Sequence, residues 1–165
     1  MGSEEYLYFA YGSNLSSLRL KQRLPLVKLK GIATLKGYKL TFNMLSTDGS
    51  AKCNIIKSPE ESMVYGAVYV LNHEQISHLD DIEGARYDRV QFDVLIGNDD
   101  YVSVHCYVAN TFVNKELPFD WYKHHVFVGA QEHGFPIDYI EMIKTQKSTA
   151  DADKKKQALE LNIYK

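Results

Sequence analysis

The chain has 165 residues, of which 45% are hydrophobic and 24% charged, so it can form one domain with its own core and is too short to suggest two. Its formal net charge of −2 argues against a nucleic-acid-binding protein, which would carry a clustered excess of lysine and arginine. No apolar run approaches the roughly 20 residues that span a bilayer and no signal peptide is visible, so we expect a cytoplasmic protein without a membrane or nucleic-acid partner.

The first third of the chain predicts strands and one short helix. Residues 1–4 are set aside as a cloning remnant or a disordered start. Residues 5–11 are rich in aromatic side chains and predict a buried strand. After a Gly-Ser-Asn turn, leucines at near-helical spacing predict a short helix, which Ser13 or Asn14 can cap. Residues 27–45 alternate apolar and polar side chains, which predicts two or more strands with bulges or bends at their glycines.

The middle of the chain predicts strands followed by a helix. A loop at residues 46–50 leads to a strand that begins at residues 53–56, and residues 63–71 form a β-branched and aromatic strand. The apolar spacing then changes to that of a helix, which Asn72 caps and Gly84 ends.

The remainder predicts a hairpin and then helices. Two alternating runs, at residues 87–96 and 101–109, are joined by "GNDD". The segment from residue 121 to about 147 is helical, with a break at a glycine and a proline. Residues 147–165 form a polar carboxy-terminal tail that we expect to be a frayed or loosely docked helix.

Together these elements predict one α+β domain that spans residues 1–165. The hairpin and the lack of regular βαβ alternation argue against a doubly wound parallel sheet. Many short strands bent at glycines predict a mixed, strongly bent β-sheet that closes towards a small β-barrel, with α-helices around it.

The sequence suggests no metal site and no other cofactor. Cys53 and Cys106 are far apart and lack the spacing of a zinc site or a disulfide framework, so both are expected to be small buried hydrophobes. His124 and His125 are adjacent, so they cannot face one metal ion together.

The turn in "YLYFAYGSNL" is a candidate anion site. A strand–turn–helix junction gathers unpaired N–H groups at the positive end of a helix dipole. No lysine follows the turn, so a carboxylate fits better than a polyphosphate. The alternative is a capped turn that binds no ligand.

Three motifs occur in one order: "YFAYGSN", "LDDIEG" and "YKHHVFVGAQEHGFPIDYI". This arrangement resembles the γ-glutamylcyclotransferase family over residues 6–144. The resemblance implies that γ-glutamyl amino acids are converted to 5-oxoproline and a free amino acid, by attack of the substrate's own α-amine on its γ-carbonyl. It also implies a small-molecule γ-glutamyl substrate and no metal, and it leaves a homodimer open, since homodimers occur in the family.

The resemblance assigns roles to particular residues. It makes Glu83 the catalytic residue. It implies that backbone N–H groups of the turn bind the substrate's carboxylate and the developing oxyanion. The implied substrate-binding residues are Tyr8, Phe9, Ala10, Tyr11, Gly12, Ser13, Asn14, Tyr87 and Tyr122.

Glu83 suits proton transfer on chemical grounds too. One carboxylate within reach of both nitrogens can take a proton from the attacking amine and give one to the departing nitrogen. The negative end of the helix dipole and the like charge of Asp80 would both raise the pKa of Glu83. Asp80 itself is expected to be solvated, and Arg86 and Arg89 are expected to form surface ion pairs.

Two alternatives stay open at this point. The chain can keep the chemistry and act on γ-glutamyl amines or on a γ-glutamyl-protected biosynthetic intermediate. It can also be a catalytically inactive module that binds a γ-glutamyl ligand.

Overall fold

A computed structural model describes residues 4–59 and 61–165, so the segment set aside at the start lies outside the described residues except for Glu4. The strands are β1 (Tyr6–Ala10), β2 (Lys28–Lys36), β3 (Tyr38–Leu45), β4 (Ala51–Lys57), β5 (Met63–Leu71), β6 (Tyr87–Ile96) and β7 (Asp100–Ala109). The helices are α1 (Ser17–Arg23), α2 (His73–Glu83), α3 (Asp120–Glu132), α4 (Ile137–Thr145) and α5 (Lys154–Asn162), with a one-turn 3₁₀ helix at Ser13–Leu15 before α1.

Five strands form a closed barrel in the order β1-β5-β2-β6-β7, which confirms the predicted α+β barrel. The barrel closes where Tyr8 of β1 pairs in parallel with His105 of β7. The predicted bulge at a glycine lies in β2, where the register with β5 shifts between Leu29 and Gly31. At Gly37, with φ of 81°, the chain turns away from the barrel, and β3 and β4 form a separate two-stranded sheet.

Two glycines bring the site-bearing segments into close packing. A Cβ atom on Gly66 of β5 would lie 2.5 Å from the Phe9 ring, so the bare backbone makes room for that ring. A Cβ atom on Gly129 of α3 would lie 2.4 Å from the backbone of Leu15. Helix α3 therefore packs directly against the 3₁₀ turn and fixes its position.

Helix α2 begins and ends where the sequence predicts. The Asn72 side chain accepts a hydrogen bond from the Gln75 backbone N–H at 2.8 Å, and the Gln75 side-chain oxygen accepts one from the Asn72 N–H at 2.8 Å. Gly84, with φ of 78°, ends the helix. Glu83 is consequently the last residue of α2.

Two expectations about the helices are wrong. Helix α1 is capped by Ser16, whose side chain accepts a bond from the Arg19 N–H at 3.3 Å, because a 3₁₀ turn comes first. The tail is not loosely docked: Asp151 accepts a bond from the Trp121 indole at 2.9 Å, and Tyr164 donates to Ser16 at 2.8 Å. No helix among the described residues is long and apolar enough to cross a membrane.

Candidate active site

A cavity of about 330 Å³ lies between the 3₁₀ turn, helix α1, the β3–β4 hairpin, the end of α2 and helix α3. It is lined by Glu83 and by all the predicted substrate-binding residues except Ala10 and Asn14. Ala10 is fully buried in the β1–β5 ladder. Asn14 reaches the site through its side chain. Segments far apart in the sequence thus meet where the resemblance implied a pocket.

Asn14 connects Glu83 with its neighbours. Its amide nitrogen donates to the Tyr8 hydroxyl at 3.0 Å and to Oε1 of Glu83 at 3.4 Å. Its amide oxygen accepts a bond from Arg23 at 3.3 Å. Sequence reasoning assigned Asn14 a backbone N–H for the substrate and a side chain that could cap a helix, whereas in the structure the side chain orients the Glu83 carboxylate.

The pKa of Glu83 is raised, and the main cause is burial. The positive charges of Arg23, Lys52 and Arg19 lower that pKa and so oppose the burial effect. Asp80 is not the cause that was expected. Its carboxylate pairs with Arg89 at 3.0 Å and accepts a bond from the Tyr107 hydroxyl at 2.7 Å, so it is not a freely solvated residue either.

Two of the tyrosines assigned by resemblance hold the backbone of β4 at Cys53. The Tyr122 hydroxyl accepts a bond from the Cys53 N–H at 3.0 Å, and the Tyr87 hydroxyl donates to the Cys53 carbonyl at 2.6 Å. Burial raises the pKa of both phenols well above the ordinary value, so both stay neutral. Tyr11 donates its hydroxyl to the Tyr107 carbonyl, which leaves only its ring to line the cavity.

Gly12 packs against protein. A Cβ atom at this position would lie 3.1 Å from Cβ of Cys53 and 3.3 Å from the Tyr122 hydroxyl. The missing side chain therefore lets the turn approach β4 and α3.

Four basic side chains that the sequence did not assign to the site line the cavity: Arg19, Arg23, Lys52 and Arg86. Arg19 Nε donates to the Ser13 hydroxyl at 3.0 Å, and Arg86 donates to the Leu45 carbonyl at 2.8 Å instead of forming a surface ion pair. The expected ion pair of Arg89 is present, with Asp80. The sequence carries one signal for these residues: Arg19 and Arg23 are four positions apart, a spacing that places both side chains on the same face of helix α1.

The two cysteines and His125 are buried side chains. Cys53 and Cys106 are free and buried, as predicted, and burial raises the pKa of each thiol to about 12. His125 is fully buried and contacts Glu160 of the tail. Within residues 4–59 and 61–165, no group of three or more His, Cys, Asp or Glu side chains is arranged to hold a metal ion.

A cavity of about 330 Å³ that is lined by a glutamate, phenols and cations has the size and the polar groups of a small-molecule site. Residues 63–143 match the AIG2-like family. The chain is 31% identical over 149 residues to the γ-glutamylcyclotransferase of Mus musculus and 30% identical over 149 residues to that of Homo sapiens, with 86% of this chain and 78% of each relative covered. A solved γ-glutamyl cyclotransferase structure superposes with a TM-score of 0.83 at 25% identity, covering 96% of this chain and 99% of that one. The chain therefore belongs to the γ-glutamylcyclotransferase family of enzymes, as its three motifs predicted.

Proposed function

We propose that this enzyme converts γ-glutamyl amino acids to 5-oxoproline and a free amino acid, with Glu83 as the single general base and acid. The α-amine nitrogen of the substrate forms a bond to the γ-carbonyl carbon, and the amide C–N bond to the leaving amino acid breaks. Glu83 takes the proton that the attacking amine loses and delivers it to the departing nitrogen. No protein nucleophile takes part.

The position of Glu83 in the cavity carries this proposal. Its carboxylate lines a cavity that is large enough for a small folded substrate, and Asn14 orients it. Burial raises its pKa, which makes it a stronger base than an exposed glutamate. Because ring closure is intramolecular, holding the amine against the carbonyl supplies much of the acceleration.

The charge of the cavity favours amino-acid leaving groups. Four cationic side chains line it, against the carboxylates of Glu83 and Asp81. A γ-glutamyl amino acid brings two carboxylates, whereas a γ-glutamyl amine brings one. We assign the cations of Arg23, Lys52 and Arg86, together with the N–H groups of Gly12, Ser13 and Asn14, to the substrate carboxylates and the developing oxyanion.

The test is 5-oxoproline release from a panel of γ-glutamyl compounds, measured for the parent and for Glu83→Gln. We expect the substitution to lower kcat by about 10²–10⁴-fold, the range that general acid–base catalysis contributes. Glu74→Gln, which neutralises an exposed carboxylate on the same helix, is the matched control and should retain the parent rate.

Three outcomes would contradict parts of the proposal. A folded Glu83→Gln protein that works at the parent rate would remove Glu83 from the mechanism. Faster turnover of γ-glutamyl amines than of γ-glutamyl amino acids would change the substrate class. A parent protein that releases no 5-oxoproline from any compound would instead indicate a binding module.

A further inference from the structure

Arg19 joins the active-site turn to the carboxy-terminal helix. Its side chain is almost fully buried. Nε donates to the Ser13 hydroxyl at 3.0 Å, and the other side of the guanidinium forms an ion pair with Oε2 of Glu160 at 2.8 Å. One side chain thus contacts both the cavity wall and helix α5.

The environment of Glu160 favours its ionised carboxylate. Burial alone would raise its pKa, but the hydrogen bonds and charges of His125 and Arg19 lower that pKa to about 2. Nε2 of His125 lies 3.0 Å from the same carboxylate oxygen, within hydrogen-bond distance. The counter-ion of Arg19 is therefore a carboxylate at neutral pH.

Loss of this counter-ion would leave the Arg19 charge uncompensated in the cavity that also holds the proposed base. Arg19 and Glu83 line the same cavity. Among the described residues, Glu160 is the one carboxylate in ion-pair contact with Arg19. A buried cation that loses its partner is strongly unfavourable and reorients towards another anion if one is within reach.

We propose that Glu160 is a positioning residue of the active site, which holds the Arg19 guanidinium against Ser13 and keeps it from pairing with Glu83. A base that is locked in an ion pair is weaker than a free one, so this arrangement keeps Glu83 competent for proton transfer. The inference rests on the proposed role of Glu83. It makes the carboxy-terminal tail, which does not line the cavity, part of the catalytic apparatus.

The discriminating measurement is the pH dependence of kcat/KM. Glu83 faces the cations of Arg19, Arg23 and Lys52. The phenols that sense its charge belong to Tyr8, Tyr11, Tyr87, Tyr107 and Tyr122, and burial keeps them protonated. We therefore assign the acidic limb of the profile to Glu83, whose pKa is raised by burial.

In Glu160→Gln we expect the acidic limb to move down by about one pH unit, the smaller end of the effect of a nearby opposite charge on a carboxyl group. The rate on the plateau should fall by roughly threefold to tenfold, because the base is weaker. The double variant Arg19→Gln/Glu160→Gln removes the freed cation and should return the limb to the parent position.

Asp151→Asn is the matched control. It weakens the docking of the same tail at the Trp121 indole, whose ring lies 5.6 Å from the Arg19 guanidinium, but it leaves the Arg19–Glu160 ion pair and the Arg19–Ser13 bond in place. It should lower the melting temperature and leave the limb in place. Equal limb shifts in Asp151→Asn and Glu160→Gln would mean that the tail acts through docking alone, and the inference would be overturned.

Arg19→Gln alone gives an answer even if Glu160→Gln does not fold. If Glu160 holds Arg19 away from Glu83 in the parent, Arg19→Gln should raise the acidic limb by less than about half a pH unit. A rise of about one pH unit or more would mean that Arg19 and Glu83 pair in the parent. An inactive Glu83→Gln together with an unmoved limb in Glu160→Gln refutes this inference alone. An active Glu83→Gln refutes the proposed function itself.

Discussion

At the scale of single residues, Gly12 is important for packing as well as for its place in the cavity wall. A side chain there would point at Cβ of Cys53 and at the Tyr122 hydroxyl, which is already bonded to the Cys53 backbone. Both are fixed by the core. A larger residue therefore has to displace β4 or α3.

We predict that Gly12→Ala lowers the free energy of unfolding by about 1–3 kcal/mol, the usual cost of overpacking a core. Gly31→Ala is the matched control, because its Cβ would meet only the flexible Ile96 side chain, 3.1 Å away at the nearest atom. It should cost less than Gly12→Ala in the same denaturant titration. If the two variants were equally stable and only Gly12→Ala had a raised KM, the glycine would serve ligand approach after all.

Sequence reasoning located some residues of the cavity and missed others for a physical reason. Glu83 and the Gly-Ser-Asn turn lie in short contiguous motifs, so a local pattern is enough to find them. The basic side chains come from α1, from β4 and from the segment after α2, and only the fold brings them together. The burial that raises the pKa of Glu83 is likewise a tertiary effect. The sequence predicted the same direction of shift, but from the helix dipole and Asp80 and not from burial.

At the scale of elements, α2 sets the position of Glu83 through its two ends. Its bounds could be predicted because both end signals are local: a capping box at Asn72 and a glycine at Gly84. The start of α1 could not be predicted, because the 3₁₀ turn before it packs against Gly129 of α3, a contact that only the fold creates.

We predict that Asn72→Ala destabilises the protein by about 1 kcal/mol, since it removes the cap of α2. The folded fraction should retain the parent kcat/KM, because Asn14 still contacts Glu83 at the other end of the helix. Ser77→Ala, an exposed change on the same helix, is the control and should be nearly neutral in the unfolding titration. A tenfold loss of kcat/KM in fully folded Asn72→Ala would show that the cap also aligns the base.

At the scale of the whole molecule, the barrel was predictable and the role of the tail was not. Strand alternation and glycine bends predict the barrel, and five of the seven strands in the described part of the chain close it. The side chains that anchor the tail are themselves polar: Asp151, Glu160 and Tyr164. They contact Trp121 of α3, Arg19 of α1 and Ser16, the cap of α1, respectively. A polar composition is therefore compatible with a segment that docks on the domain, and composition alone could not predict the docking.

Two glutamates of this molecule contribute to its stability with opposite signs. The pKa of Glu83 is raised in the folded state, so its contribution is present at low pH and is lost as the pH rises through the folded value. The pKa of Glu160 is lowered to about 2, so its contribution is present above the unfolded value and is lost as the pH falls towards 2. The active site thus destabilises the fold at neutral pH, while the tail stabilises it.

We predict that Glu83→Gln raises the melting temperature at pH 7, because glutamine mimics the neutral carboxyl that the folded state prefers. Each kcal/mol gained corresponds to about 2–4 °C for a chain of this size. At pH 3 the parent carboxyl is already protonated, so the variant and the parent should melt together. Glu160→Gln should behave oppositely, with a large loss at pH 7 that shrinks as the pH approaches 2. A Glu83→Gln protein that melts below the parent at pH 7 would mean that the surrounding cations outweigh burial, and that Glu83 is held as an anion rather than poised as a base.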